Sequence, residues 1–185
     1  MNDATDLDKL ISVANSLKRQ YLKEEALDPW ADSPFSWIRA RPSRQVGKIG
    51  EQLVAEWCKA NGLEVGKPGD TQCDILVRAH RVEVKFSTLW ESGQYTFQQF
   101  RDQSYEYAIL LGLSPQVAHA WVVPKEALKL HVIGHRPQHA GKQGADTFWL
   151  SFPASQPEPW LSPFGGSLSL ATEILLQSFA APSNQ

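Results

Sequence analysis

The sequence contains few cysteines, no long apolar run and no large net charge. Cys58 and Cys73 are the only cysteines among 185 residues, so a disulfide framework is excluded and a reducing cytoplasm is the expected compartment. The longest apolar run, from Ala108 to Leu111 and resuming at Leu113 after a glycine, is too short to span a bilayer. The first residues carry acids without a leading basic cluster, which predicts no signal peptide. The formal charge of −2 excludes a generally polycationic coat for nucleic acids, but it leaves room for a local basic groove.

The composition is that of a folded protein. Apolar residues make up 42% of the chain and charged residues 21%, which is enough for a sizeable core and excludes wholesale disorder. The length predicts a single domain that spans residues 1–185. Helical periodicity predicts an amphipathic helix at 6–26 and further helices at 44–61 and 167–180.

Period-two apolar patterns predict strands in the middle of the chain. Residues 73–78 and 81–86 are predicted to form a hairpin whose turn is Ala79-His80. The apolar segment 105–113 predicts a buried strand. Further strands are predicted at 119–123 and 147–152, and short helices at 95–103 and 125–130. This order of elements predicts an α/β sandwich around a mixed sheet.

Three polar side chains of the predicted hairpin share one face. Alternate residues of a strand point to the same side, so Glu83 and Lys85 project together while Val84 points the other way into a core. With the turn placed as above, Asp74 pairs with Lys85. The two carboxylates then lie diagonally across the strand pair, on the face of the lysine.

Two carboxylates and an ammonium on one face are suited to metal-assisted hydrolysis. Two carboxylates on an apolar sheet repel each other, and a divalent cation would hold both in the ionised form. Mg²⁺ binds few carboxylates together with water and phosphate oxygens, polarises a phosphodiester and lowers the pKa of a bound water. A lysine ammonium can orient that water or stabilise the transition state. The other interpretation of the same pattern is a solvated strand face with cross-strand ion pairs.

The helix at 44–61 carries a third carboxylate, Glu51. This residue follows Gly47-Lys48-Ile49-Gly50, and two glycines in the first turns of a helix are each unfavourable by about 1 kcal/mol relative to alanine. We therefore expect the helix to approach another part of the protein or a ligand closely. Glu51 lies off the main apolar stripe, where its carboxylate could face the edge of the sheet.

This arrangement resembles the PD-(D/E)XK nuclease superfamily, which has the restriction-endonuclease-like fold. The resemblance rests on Gly50-Glu51 in a helix, Asp74 at the start of a strand and Glu83-Val84-Lys85 on the next strand, and it covers residues 44–123. Cys73 stands where the family's motif has proline. The Gln-x-x-x-Tyr pair of the exonuclease branch is absent, which argues against an enzyme of that branch.

The resemblance implies a three-layer sandwich in which helices flank a mixed β-sheet, with helical additions at both ends of the chain. The nuclease core is then 44–123. A helix and linker at 1–43 precede it, and a loop, a strand and a helix at 124–185 follow it.

The resemblance also implies the roles of the site residues. Asp74 and Glu83 would bind Mg²⁺, for which Mn²⁺ could substitute, and the carbonyl of Val84 would help. Glu51 would supply a supporting carboxylate, and Lys85 would position the attacking water.

Basic residues cluster locally although the net charge is small. The segment between Asp32 and Glu51 contains no acid, and its Arg41, Arg44 and Lys48 are predicted to contact DNA phosphates. The other interpretation of such a patch is an ordinary solvated loop.

A second acid-free segment lies between Glu126 and Asp146. We expect its His135 and His139 in a DNA-contacting loop, and we expect Gln99 at the edge of the site. Gly134 and Pro137 interrupt the segment, so the histidines do not form a helical row of metal ligands.

The sequence therefore predicts a metal-dependent DNA endonuclease of the restriction or host-defence type. It would act on double-stranded DNA in the cytoplasm without a membrane, and because cutting both strands needs two sites, a homodimer is expected. Two alternatives remain open: a structure-specific DNA repair or recombination nuclease of the same fold, and a catalytically inactive DNA-binding or assembly module. The presence of all four site residues argues against the inactive module.

Overall fold

The structure is a computed structural model, and it describes residues 3–22, 28–137 and 146–180. The helices in these residues are α1 (Asp3–Leu22), α2 (Ser36–Arg39), α3 (Ser43–Ala60), α4 (Lys125–His131), α5 (Leu168–Ser178) and a 3-10 helix (Pro159–Phe164). None of the helices in the described ranges has both the length and the apolar character needed to cross a membrane.

The strands form one large and one small sheet. They are β1 (Val65–Gly66), β2 (Ile75–Val77), β3 (His80–Thr88), β4 (Gln94–Phe100), β5 (Tyr107–Leu113), β6 (Ala118–Pro124), β7 (Phe148–Pro153) and β8 (Gly165–Ser167). The large sheet has the order β1-β2-β3-β5-β6-β8, and β4 pairs with β7. β3 and β5 run parallel, whereas every other neighbouring pair described is antiparallel. The fold is thus mixed α/β with a mostly antiparallel sheet.

The two faces of the large sheet are covered differently. α3 and α5 cover one face, where Val54 and Leu175 are buried in a cluster with Ile109. The β4–β7 pair lies on the other face, where Phe97 belongs to a cluster with Trp121. Each large apolar side chain buried in these clusters stabilises the fold by roughly 1.5–3 kcal/mol. α4 and the 3-10 helix also contribute buried residues to this second cluster, so the β4–β7 pair is an addition to the predicted sandwich rather than a replacement for its helices.

Most predicted elements occur within two residues of the predicted ends. These are the hairpin strands, the strands at 105–113, 119–123 and 147–152, and the helices at 44–61, 125–130 and 167–180. The short elements β1, α2, β8 and the 3-10 helix were not predicted, because two to six residues carry too little periodicity to be recognised.

β4 shows that the short helix predicted at 95–103 is wrong. Tyr95 and Phe97 alternate with polar residues, and both rings are completely buried. They lie opposite Phe152 and Leu150 of β7. A strand from far along the chain thus supplies the hydrogen bonds that make 94–100 extended, and the local sequence does not specify that partner.

The hairpin turn lies one residue earlier than predicted. Val77 pairs with His80, so Arg78 and Ala79 form the turn, with φ values of 46° and 70°. Positive φ at both turn residues is the geometry that matches the twist of the flanking strands in a two-residue hairpin. The register therefore places Asp74 opposite Glu83 rather than opposite Lys85.

α1 is the predicted N-terminal helix, although it begins at Asp3 and the predicted residues 23–26 lie outside the described residues. Its apolar stripe is exposed to solvent at Leu7, Leu10, Ile11 and Leu17. The amphipathic pattern thus predicted the helix correctly. The pattern did not predict burial, because the apolar stripe lies outside the core of the described chain.

Gly50 permits α3 to lie close against β3. A Cβ atom added at Gly50 would lie 2.3 Å from Cβ of Phe86, whereas one added at Gly47 would meet nothing within 4 Å. We expect Gly50→Ala to lower the free energy of unfolding by about 2 kcal/mol. Gly47→Ala is the matched control and should raise it by about 0.5–1 kcal/mol. Urea unfolding of both variants checks this, and a Gly50→Ala variant as stable as wild type would contradict the close approach.

Candidate active site

A cleft of about 880 Å³ opens between the start of α3 and the strands β3 and β4. All four residues predicted to be catalytic line it: Glu51, Asp74, Glu83 and Lys85. The pleat of β3 and the register of the hairpin place three of them on its floor. The close approach of α3 at Gly50 brings the fourth to the same space.

Asp74 is held in a half-buried position immediately before β2. Its Oδ2 accepts a hydrogen bond of 2.7 Å from the backbone N–H of Val84. Burial raises the pKa of the Asp74 carboxyl above its ordinary value, the negative charge of Glu83 raises it further, and the hydrogen bond from Val84 opposes both. A cation placed at this carboxylate would relieve the cost of holding it ionised.

Glu83 and Lys85 form an ion pair on the same face of β3. Lys85 Nζ lies 2.7 Å from Glu83 Oε1, and the side chains of Lys85 and Glu83 are 12% and 9% exposed. Lys85 Nζ also lies 5.7 Å from the ring centroid of Phe100. The pair is thus largely removed from water, which strengthens the attraction between the charges but makes either charge costly without the other.

Glu51 faces the cleft from α3 and is paired with a lysine. Lys48 Nζ lies 2.5 Å from Glu51 Oε2, one turn earlier on the helix. This hydrogen bond and the charge of Glu51 raise the pKa of Lys48, whose side chain is exposed. Lys48, predicted to contact DNA phosphates, does not line the cleft itself. The Lys48 ammonium instead contacts the carboxylate of Glu51, which lines the cleft.

The carboxylates fit a hard divalent cation in part. Asp74 and Glu83 line the cleft with carboxylate oxygens, the kind of ligand that Mg²⁺ prefers, and Val84, whose carbonyl is the third predicted ligand, lines the same cleft. Over the described ranges, however, no group of three or more His, Cys, Asp or Glu side chains is arranged to hold a metal ion. Glu83, predicted to bind the metal, and Glu51, predicted to support the site, each contact a lysine instead. A metal at this site would need water or substrate oxygens as further ligands.

The raised pKa of Asp74 makes a prediction for stability. In the absence of divalent metal, the unfolded chain loses this proton first, so the contribution of Asp74 to the free energy of unfolding falls as pH rises above about 4. We expect the stability of Asp74→Asn relative to wild type to increase between pH 4 and pH 7. Urea unfolding in the presence of a chelator measures the difference, and a difference independent of pH would contradict the prediction.

Arginines form one wall of the cleft. Arg41 and Arg44, predicted to contact DNA phosphates, line it, and Arg39 and Arg101 line it as well. Within the described residues Arg44 and Arg101 make no ion pair. The sequence does not predict Arg101 as a site residue, because its pattern predicts a helix at 95–103. The signal that could have found it is the polar run that follows the alternating aromatics of β4.

Of the other residues predicted to contact DNA, one lines the cleft and one does not. Gln99 lines the cleft, and so does its neighbour Gln98. His135 is exposed in the turn after α4 and does not line the cleft. The structure therefore does not bring His135 to the predicted site, because α4 contacts β6, which β5 separates from β3 in the sheet. His139 lies outside the described residues.

No protein-family model matches the chain, and no curated protein matches it. Among solved structures the chain is similar to a bacterial homing endonuclease, with 17% sequence identity and a TM-score of 0.49, over 76% of this chain and 96% of that chain. This similarity transfers no residue roles to the present chain.

Proposed function

We propose that the protein is a metal-dependent endonuclease that hydrolyses phosphodiester bonds in double-stranded DNA, of the restriction or host-defence type. The observation that supports this most directly is that Asp74, Glu83 and Lys85 meet on the floor of one cleft. Arginines on the wall of that cleft supply charge that suits a phosphate backbone.

Each site residue has a separate task in this proposal. Asp74, Glu83 and the carbonyl of Val84 would hold Mg²⁺, which supplies a water of lowered pKa and neutralises charge on the leaving oxygen. Lys85 carries a desolvated ammonium beside this position. It orients the attacking water and stabilises negative charge on the phosphorus centre in the transition state. Glu51 supports the site from α3.

Cutting both strands at one place requires two such clefts, so the active unit in this proposal is a homodimer. Sedimentation equilibrium of the protein with a duplex of defined length measures the number of copies bound. Two copies on one duplex are expected. A single copy that linearises plasmid would contradict the dimer.

The second candidate is a catalytically inactive DNA-binding module. It is favoured by one observation, namely that Glu51 and Glu83 each accept a lysine ammonium while the described chain lacks a group of three metal ligands. In that function the lysines would permanently occupy the place where a metal would otherwise bind. The arginine wall would bind DNA, but no bond would be hydrolysed.

Incubating plasmid with purified protein, with and without Mg²⁺, distinguishes these functions. Discrete fragments formed only with Mg²⁺ are expected from the proposed endonuclease. Cleavage restricted to branched or flapped substrates would favour a repair or recombination nuclease. Binding without cleavage in Mg²⁺ or Mn²⁺ would favour the inactive module and overturn the first proposal.

The arginine wall makes a prediction for binding. We expect Arg41→Ala and Arg44→Ala each to weaken DNA binding and to reduce the slope of log K against log salt by about one. Lys67, exposed and outside the cleft, is the control, and Lys67→Ala should leave the slope unchanged. Fluorescence anisotropy at several salt concentrations measures the slope. An unchanged slope in both arginine variants would remove this wall from the interface.

A further inference from the structure

β4 contains one extra residue beside the cleft. Phe97 lies opposite Leu150 and Phe100 opposite Phe148, so three steps along β4 match two along β7. An extra residue of this kind is a β-bulge, which re-aims side chains and often lies next to a functional site.

The bulge frees two consecutive side chains from the core. In a regular strand Phe97 would point inward, Gln98 outward, Gln99 inward and Phe100 outward. Instead both phenylalanines are completely buried, Gln98 is half-buried and Gln99 is exposed. Gln99 has φ of 59°, a left-handed conformation that glycine adopts far more readily than glutamine.

The side-chain amides of Gln98 and Gln99 have no partner within the described structure. Both residues line the cleft that contains Asp74 and Glu83. Across the described residues neither side-chain amide makes a hydrogen bond. A glutamine that keeps a strained backbone without an internal partner points to an external one.

The strand pair that carries them has the shape of a base-reading element. β4 and β7 form a two-stranded ribbon with Tyr95, Phe97, Leu150 and Phe152 buried on one side. The major groove of B-DNA admits a two-stranded ribbon, and a glutamine amide matches the N6 donor and N7 acceptor of adenine.

We propose that Gln98 and Gln99 read adenine in the major groove of a duplex bound in the cleft, with β4 as the recognition strand. This rests on the proposed function in so far as that function requires DNA in the cleft. It goes further in naming the residues that select the sequence and the base they select.

Binding selection from a randomised duplex library tests the proposal without relying on cleavage. Wild-type protein in a chelator is mixed with the library, and bound duplexes are sequenced. We expect adenine to be enriched at one or two positions. Gln98→Ala and Gln99→Gly should each reduce the enrichment at one position by roughly fivefold to a hundredfold. Gln94→Ala, on the same strand but outside the cleft, should leave it unchanged.

Gln99→Gly separates a reading role from a purely structural one. Glycine suits the left-handed backbone, so this variant should be at least as stable as wild type in thermal unfolding. If the bulge serves only to return Phe100 to the core, the variant would be stable and retain the wild-type sequence preference, which would overturn the proposal.

A modified base completes the test. 7-Deazaadenine lacks the N7 acceptor, so with this base at the preferred position wild type should bind the duplex at least about fivefold more weakly. The variant that lacks the glutamine reading that position should bind the adenine and 7-deazaadenine duplexes equally well. A wild-type preference that does not include adenine would overturn the inference while leaving the endonuclease proposal intact. Absence of any DNA binding would overturn both, and the plasmid assay independently reports the failure of cleavage.

Discussion

Asp74→Asn is expected to reduce the rate of DNA cleavage by about a thousandfold or more while the protein stays folded. Asparagine has nearly the same shape, and its side-chain oxygen can accept the hydrogen bond that Val84 N–H donates to Asp74. It lacks the charge needed to hold a divalent cation. The rate of plasmid cleavage at saturating Mg²⁺ measures the loss, and Glu83→Gln should behave alike.

Asp70→Asn is the matched control for this substitution. Asp70 is exposed, lies outside the cleft and pairs with Arg81 at 2.5 Å. Its substitution should leave cleavage within about twofold of wild type, because an exposed ion pair contributes little. If Asp74→Asn cut DNA as fast as Asp70→Asn, the carboxylate floor would not be the catalytic site.

Lys85→Met is expected to lower the cleavage rate by about a hundredfold to a thousandfold and to change DNA binding much less. The ammonium of Lys85 lies at the floor of the cleft and is nearly desolvated, so its charge acts more strongly on a developing negative charge than an exposed lysine would. Single-turnover cleavage and anisotropy measure the two effects separately.

The variant also leaves Glu83 without its partner, and an unpaired buried charge can destabilise a fold by about 3–5 kcal/mol. The double variant Lys85→Met/Glu83→Gln removes both charges, so it should recover much of the stability but none of the activity. Lys59→Met, which breaks the exposed Glu56–Lys59 pair outside the cleft, should affect neither. Full cleavage by Lys85→Met would exclude Lys85 from the chemistry.

The face shared by Asp74, Glu83 and Lys85 was predictable although the hairpin register was not. Moving the turn from Ala79-His80 to Arg78-Ala79 changes the residue opposite Asp74 from 85 to 83, which is an even shift. Because side chains alternate with a period of two, an even shift keeps every side chain on its face. The error therefore changed which neighbours face each other without removing a residue from the site.

The other wall of the cleft was not predictable in the same way. Gln98, Gln99 and Arg101 reach it because β4 pairs with β7 and carries a bulge. Both features depend on a strand outside the local window. The alternation of Tyr95 and Phe97 with polar residues is typical of a strand and could have identified β4, but it contains no signal for the bulge.

The sequence by itself determined the helix that carries Glu51, the hairpin, and the face of the hairpin on which its two acids and one lysine lie. Strand pleat and helix pitch depend only on neighbouring residues, so these features follow from local geometry. The tertiary structure decided which elements meet. Contact between Gly50 and Phe86 brings Glu51 to the hairpin, and a distant strand aims two amides into the same cleft. It also decided that the Glu83–Lys85 pair, which is local to β3, is largely removed from water, because only the packing of other elements around the strand excludes solvent from it.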